Sequence, residues 1–174
     1  QSVEEWLEEI VSLKNRKKNK FNDQLDPSIL EDLFELPEGW KWVRLNDLIE
    51  SSVYGTSAKA NDDSIGTPVL RMGNIVDGFI QFTDLKYLPN DHIDVQKLDL
   101  EVGDLLFNRT NSYELVGKTA LVDENIAGKA TFASYLIRVR LFYKNILGSY
   151  VCHYINSHIG RNILLSMVTQ QVGQ

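Results

Sequence analysis

The sequence predicts an α+β fold: a twisted, mostly antiparallel sheet or open barrel with flanking helices. Three observations carry this reading. From Trp40 onward, short apolar runs are separated by Gly, Pro and Asp turns, the pattern of strands. Apolar residues recur at helical spacing at both ends of the chain. Residues 130–142 alternate with a period of two. Strands grouped together with helices at the ends point to α+β rather than to alternating βαβ units.

In chain order, Val3, Trp6, Leu7, Ile10 and Val11 give one apolar face to a first helix of about three turns. The basic run at residues 15–20 reads as its solvated end. Asp26 and Pro27, followed by Ile29, Leu30, Leu33 and Phe34, predict a short second helix with Asp26 as cap and Pro27 at its first position. Leu36-Pro-Glu-Gly-Trp40 is a Pro/Gly hinge and marks the domain boundary. Residues 1–36 are expected to be a helical segment or linker, and residues 37–174 the main domain. Strands are expected at 40–44, 67–72, 79–82, 104–107, 119–122 and 130–142. In the last, Thr131, Ala133, Tyr135, Ile137, Val139 and Leu141 share one face, with Ser134, Arg138 and Arg140 opposite. Asp77-Gly78 signals a tight turn. A helix from about Gly148 closes the chain, with Val151, Tyr154, Ile155, Ile159, Ile163 and Met167 on its apolar face.

The totals bound the function. At 174 residues the chain is about one domain, and 43% apolar residues suffice for a core. No run approaches the roughly 18 apolar residues of a membrane helix, and the acidic, amphipathic N-terminus is unlike a secretory signal. A lone cysteine, Cys152, forms no internal disulfide, which fits a reducing cytoplasm. The net charge is -6, and residues 37–174 carry 13 Lys/Arg against 15 Asp/Glu. Bulk charge therefore does not favour nucleic acid. Such binding would need Arg71, Arg109, Lys118, Arg138 and Arg140 on one surface, or a basic partner supplying most phosphate contacts.

Catalytic patterns are mostly missing. Prolines 27, 37, 68 and 89 are never adjacent, so the Asn/Asp-Pro-Pro-aromatic loop of an amino-methyltransferase is absent, as are Gly-rich cofactor turns. Asp84-Leu-Lys86 has the D-x-K form of a nuclease but no suitable acidic partner upstream. His153 and His158 are five apart on the expected helix, off a shared metal-binding face. Adjacent Cys152 and His153 point apart and make no catalytic pair. His92, between Asp91 and Asp94, reads as a solvated turn. The chain is not expected to be an enzyme or to bind a metal.

The most informative stretch runs from Gly103 to Val122. An apolar strand, residues 105–107, opens into Asn108, Arg109, Thr110, Asn111 and Ser112, and a second strand follows at 119–122. Amides, a guanidinium and hydroxyls read hydrogen-bond patterns on base edges, and none is a good general base. A rigid frame presenting such a loop suits recognition. Arg109 matches the two acceptors of guanine, and Asn111 pairs bidentately with adenine. Thr56, Ser57 and Lys59, in the small-residue loop 54–59, can lie close to a phosphate or groove edge, or form an ordinary solvated loop. Arg71 is either an exposed phosphate or guanine contact or the partner of a nearby carboxylate. Lys118 is read as a phosphate contact. Gly73, Gly78, Gly103 and Gly117 are read as turn formers.

The order of these motifs resembles a known family. Leu36-Pro-Glu-Gly-Trp-Lys-Trp42 with Leu45, Gly66-Thr-Pro-Val-Leu-Arg-Met-Gly-Asn-Ile75 with Asp77-Gly78, Gly103-Asp-Leu-Leu-Phe107 and Leu115-Val-Gly-Lys118 look like one target recognition domain of the specificity subunit of type I restriction–modification enzymes. The resemblance runs from Leu36 to about Gln174. It implies a chain without catalysis of its own that reads half of a bipartite DNA site for separate modification and restriction subunits. The modification subunits would bind S-adenosylmethionine and methylate adenine. A full family member has two recognition domains separated by long helices; this chain has one, so it is expected to be a fragment or a half-subunit that must dimerise. The competing expectation is a non-catalytic protein-interaction or scaffold domain whose acidic surface meets a basic partner. A hydrolase would require a metal or a reactive Cys152.

Overall fold

The computed structural model describes residues 2–16, 34–110, 112–113 and 115–166. The chain divides into two compact units, Gln1–Glu50 and Ser51–Gln174; the hinge expected at residues 36–40 lies within the first.

In the first unit, helix α1 (Val3–Arg16) starts at a capping box. The Glu5 N–H donates to Ser2 Oγ at 3.2 Å, and the Ser2 N–H donates to the Glu5 carboxylate at 2.9 Å. Ile10 is buried, as its place on the apolar stripe requires, and so is Lys14. The Lys14 ammonium donates to the Asn46 carbonyl at 2.6 Å and lies 3.8 Å from the Asp47 carboxylate. Arg44 holds Asp47 from the other side at 2.9 Å. The expected strand at 40–44 does not form. Pro37–Trp40 is a β-turn, with Trp40 N–H bonded to Pro37 O at 3.1 Å and Gly39 at φ +79°. Arg44 then leads straight into the single-turn α2 (Leu45–Leu48). The expected helix capped by Asp26 and most of the basic run lie outside the described residues.

In the second unit, strand β1 (Ile49–Tyr54) continues from the end of the first and enters a four-stranded sheet of order β1-β9-β6-β7. Here β6 is Leu105–Asn108, β7 Thr119–Leu121 and β9 Leu136–Leu141. Strand β6 pairs antiparallel with both neighbours, Leu105 facing Val139 on β9 and Leu121 on β7. A second sheet, β5-β2-β8, combines β2 (Thr67–Leu70), β5 (Lys86–Leu88) and β8 (Thr131–Phe132). Its β2–β5 pair is antiparallel and its β2–β8 pair parallel. Strands β3 (Ile75–Val76) and β4 (Phe79–Ile80) form a hairpin. Asp77 and Gly78 turn it with φ of 51° and 87°, the two positive values a type I′ turn needs. The strand pairing is thus mostly antiparallel, as expected, but divided among three open sheets.

Two stretches depart from expectation for identifiable reasons. Residues 130–142 are not one strand, because the chain changes sheets within them. Ala133 N–H bonds to Leu70 O at 2.8 Å, tying β8 to β2, while Leu136 onward pairs with β6. The turn between them reverses the expected phase at the start of β9: Leu136 and Arg138 are buried, whereas Tyr135 is 53% exposed, and only Leu141 at the far end is buried as expected. The closing helix is two helices, α4 (Lys144–Asn156) and α5 (His158–Ser166). Ser157 breaks it at an extended backbone (φ −64°, ψ 162°), donating through Oγ to Tyr154 O at 2.7 Å and accepting from Gly160 N–H at 3.1 Å. A Cβ at Gly160 would fall 2.0 Å from Tyr154 O. Val151 and Ile155 are buried, while Ile159 and Ile163 remain 49% and 40% exposed.

The core gathers Leu70, Leu106, Ala120, Val122, Phe132 and Leu136 from β2, β6, β7, β8, β9 and the residue after β7. Full burial of each larger side chain is worth about 1.5–3 kcal/mol. Among the described residues, no helix is long and apolar enough to cross a membrane.

Candidate nucleic-acid interface

The motif residues prove to be joints of the frame. Asn74 is 2% exposed. Its Oδ1 accepts Arg71 N–H at 2.8 Å, and its Nδ2 donates to Gln81 O and Thr83 O at 2.9 and 2.7 Å. Gly103, at φ +87°, packs so tightly that a Cβ would meet Lys144 O at 2.8 Å. Asp104 is fully buried and accepts Arg140 Nε and Nη2 at 2.7 Å each, plus Glu101 N–H at 2.8 Å. Gly117, at φ +78°, leaves no room for a Cβ beside Leu164.

Three loops meet at one end of the four-stranded sheet. The loop after β1 presses on the β8–β9 turn because Gly55 has no side chain; a Cβ there would lie 2.3 Å from the Phe132 and Ala133 carbonyls. Thr56 N–H donates to Phe132 O at 2.8 Å, and Ser134 N–H donates to Thr56 O at 2.8 Å. The loop after β6 joins the same turn through Arg109 N–H, which donates to Tyr135 O at 3.1 Å. Its base is closed by Asn108 N–H to Lys118 O (2.9 Å) and Gly117 N–H to Asn108 O (2.6 Å). Helix α5 braces it from behind, with Arg161 Nη1 donating to Val116 O at 2.5 Å. Above this frame the Arg109 guanidinium sits 4.9 Å from the centre of the Tyr54 ring, and Tyr54 is 61% exposed.

The residues singled out from sequence separate into two groups. Ser57, Lys59, Arg109 and Ser112 are exposed around the loop cluster, and Lys118 is half-buried at its base. Thr56 is buried, its Oγ1 donating to Asp94 Oδ2 at 2.5 Å and accepting Ala58 N–H. Asn108 is buried, with Nδ2 donating to Leu115 O at 3.2 Å. Thr110 Oγ1 lies 3.7 Å from Met72 Sδ. Arg71 spans to the Asp84 carbonyl rather than to a carboxylate. Asn111 lies outside the described residues. Tyr54 and Tyr135, exposed aromatics at this junction, were not singled out from sequence; their signal is an aromatic residue at the rim of a polar loop.

Arg138 and Arg140 do not join a cationic surface. Strand β9 turns them toward acidic partners: Arg138 is buried and donates to Asp99 O and Oδ1 at 2.5 and 3.0 Å. Arg140 meets Asp104 and, at 2.5 Å, Glu101. The Asp104 hydrogen bond raises the Arg140 pKa above its already high value, burial opposing it.

The remaining chemical candidates are structural. Cys152 is buried, its Sγ 3.6 Å from Thr119 O. Burial pushes its thiol up to about 11, against an opposing hydrogen bond from Asn156, so it is protonated and unreactive at neutral pH. His92, expected in a solvated turn, instead caps the short α3 (Ile93–Lys97), accepting Asp94 N–H at 3.1 Å. His153 and His158 fall on separate helices. Among the described residues, no group of three His, Cys, Asp or Glu side chains could hold a metal.

Fold and site together define a loop-presenting α+β module in which the frame arginines of β9 are paired with acidic residues and exposed polar groups gather at one sheet end. No protein-family model matches the chain. It is 33% identical over 147 residues to a Methanocaldococcus jannaschii protein named as the specificity subunit of the type I restriction enzyme MjaX, covering 82% of this chain and 34% of that protein. It is 31% identical over 136 residues to the EcoKI specificity subunit of Escherichia coli K12, covering 78% and 29% of the two chains. The EcoEI specificity subunit of Escherichia coli matches at 28% over 164 residues, covering 90% and 27%. The crystal structure of the HsdS subunit from Thermoanaerobacter tengcongensis aligns with a TM-score of 0.49 and 21% identity, over 79% of this chain and 32% of that one. The chain belongs with one segment of the type I restriction enzyme specificity subunits, and spans about a third or less of the curated relatives it matches.

Proposed function

We propose that the chain is a target recognition domain that reads one half of a bipartite DNA site as part of a type I restriction–modification complex. The observation that carries this reading is the meeting of three loops at one sheet end, in a chain related to specificity subunits. The domain itself performs no chemistry and uses no cofactor. It positions double-stranded DNA for a modification subunit that binds S-adenosylmethionine and methylates adenine, and for a restriction subunit that cleaves. Two half-sites require two such domains, supplied by the same polypeptide or by a second copy. The complex works in the cytoplasm, where DNA and a reduced Cys152 are both found.

Ser57, Arg109 and Ser112 face the grooves, while Lys59 and Lys118 face phosphates. Thr56, Arg71, Asn108 and Thr110 shape the loops that carry them. With few cations in the cluster, partner subunits supply much of the phosphate attraction.

A domain graft tests the reading. The chain replaces one recognition domain of a complete type I specificity subunit expressed with its modification subunits, and methylated adenines are mapped across the genome. A change in one half of the bipartite motif is the expected result. If the complex assembles and methylates no new motif, the chain does not read DNA, and the protein-interaction scaffold takes its place.

A further inference from the structure

Tyr54, the last residue of β1, and Arg109, in the loop after β6, are far apart in sequence, yet they meet with the guanidinium 4.9 Å from the ring centre. Both are exposed, so their meeting is not a by-product of core packing. The backbone fixes the geometry from two directions. Gly55 lets the chain after Tyr54 lie against the β8–β9 turn, where Thr56 bonds to Phe132 O and Ser134 N–H, and Arg109 N–H is bonded to Tyr135 O on that same turn. Of the arginines in the second unit, Arg71, Arg138, Arg140 and Arg161 all donate to protein carbonyls or carboxylates. Among the described residues, Arg109 makes no ion pair.

We propose that Tyr54 and Arg109 form a single reading element, in which the Tyr54 ring holds the Arg109 guanidinium for a bidentate contact to one guanine of the recognised half-site. This rests on the proposed DNA-reading function. A guanidinium lying over an aromatic face keeps its N–H donors at its edges, in its own plane, where they match the coplanar O6 and N7 of guanine. A phosphate contact needs only a charge on a mobile stem and gains little from such a platform. The stack also limits the rotamers of a long side chain before DNA arrives, which reduces the ordering cost of binding. Arg109 is therefore the specificity-determining residue, and Tyr54 its positioning residue.

The test uses the full chain, grafted as one recognition domain into a type I specificity subunit assembled with its modification subunits, and its Arg109→Lys, Arg109→Ala, Tyr54→Leu and Tyr54→Phe variants. Each is passed through selection on random DNA duplexes, then titrated on the selected site over a salt series. The native chain should select a motif containing a guanine that both Arg109 variants no longer prefer, a loss of about 5- to 150-fold in discrimination at that position alone. Tyr54→Leu should weaken the same preference, and Tyr54→Phe should keep it. If Arg109→Ala selects an unchanged motif and only lowers the salt slope by about one, Arg109 is a phosphate contact and the proposal is overturned. Equal guanine preference in Tyr54→Leu and the native chain overturns the positioning role. If the native chain selects no motif, the DNA-reading function itself fails. Melting curves check folding, which substitutions at these exposed positions should leave unchanged.

Discussion

Asp104 and Arg140 meet fork to fork, each carboxylate oxygen accepting one guanidinium N–H at 2.7 Å. They lie one step beyond the Leu105–Val139 register pair, so strand pairing itself brings them together. Asp104 is fully buried. Removing it leaves Arg140 only partly compensated, by Glu101 and Asp99. Asp104→Ala is expected to cost about 3–5 kcal/mol, as loss of one partner from a buried pair does. Urea unfolding should show a lower midpoint at unchanged slope. Glu101→Ala, at the exposed rim of the same cluster, should cost about 1 kcal/mol or less.

Gly148 sits inside α4, where alanine normally stabilises by about 0.5–1 kcal/mol. Here the sign should reverse. A Cβ at Gly148 would fall 2.7 Å from Gly103 O, and Gly103 is itself held at φ +87° against Lys144. Overpacking of this kind costs about 1–3 kcal/mol. Gly148→Ala is expected to melt below the native chain, and a higher melting temperature would show that the contact between α4 and the turn at Gly103 yields easily.

Cys152 links stability to alkaline pH. Burial raises its thiol from 9.0 to about 11 in the folded chain. Below pH 9 the thiol is protonated in both states and its contribution is fully present. Between pH 9 and about 11 the unfolded chain loses a proton that the folded chain keeps, so stability falls as pH rises. Cys152→Ala should remove this part of the alkaline decline in denaturation midpoints. At pH 8 a thiol reagent should label the native chain only as fast as it unfolds.

Charge removal separates surface from frame. On DNA, Lys59→Ala should lower the salt slope by about one, the signature of a lost phosphate contact. Arg138→Ala should leave that slope unchanged, because its guanidinium is occupied by Asp99. Its effect should appear in stability instead, at about 1–3 kcal/mol for a lost charged hydrogen-bond set. Parallel binding and unfolding titrations of the two variants distinguish these outcomes.

Local chemistry was legible where it acts over a few residues. The stripe Val3–Ile10, the turn at Asp77-Gly78 and the strands around Leu105 and Thr119 all formed as their spacing predicts. Strand β1 was not legible, because Glu50, Ser51 and Ser52 interrupt its apolar signal at the edge of the sheet. Of the site, the exposed polar loop after β6 was visible as an unusual run of readers. Its aromatic companions were not, since Tyr54 and Tyr135 are brought to Arg109 only by pairings more than twenty residues apart.

By itself, the sequence determined the class of fold, the polarity of the loops and the ordered motifs that mark the family, because these follow from side-chain periodicity and turn chemistry. Tertiary structure decided which of those polar residues are free to meet a ligand. Arg138 and Arg140 alternate with apolar residues as surface cations would, yet strand register sets them against Asp99 and Asp104. Arg109 is one more arginine in a polar run until Gly55 and Tyr135 bring its loop beneath Tyr54. An arginine's charge is a local property, but whether that charge is neutralised inside the protein depends on which strand lies beside it.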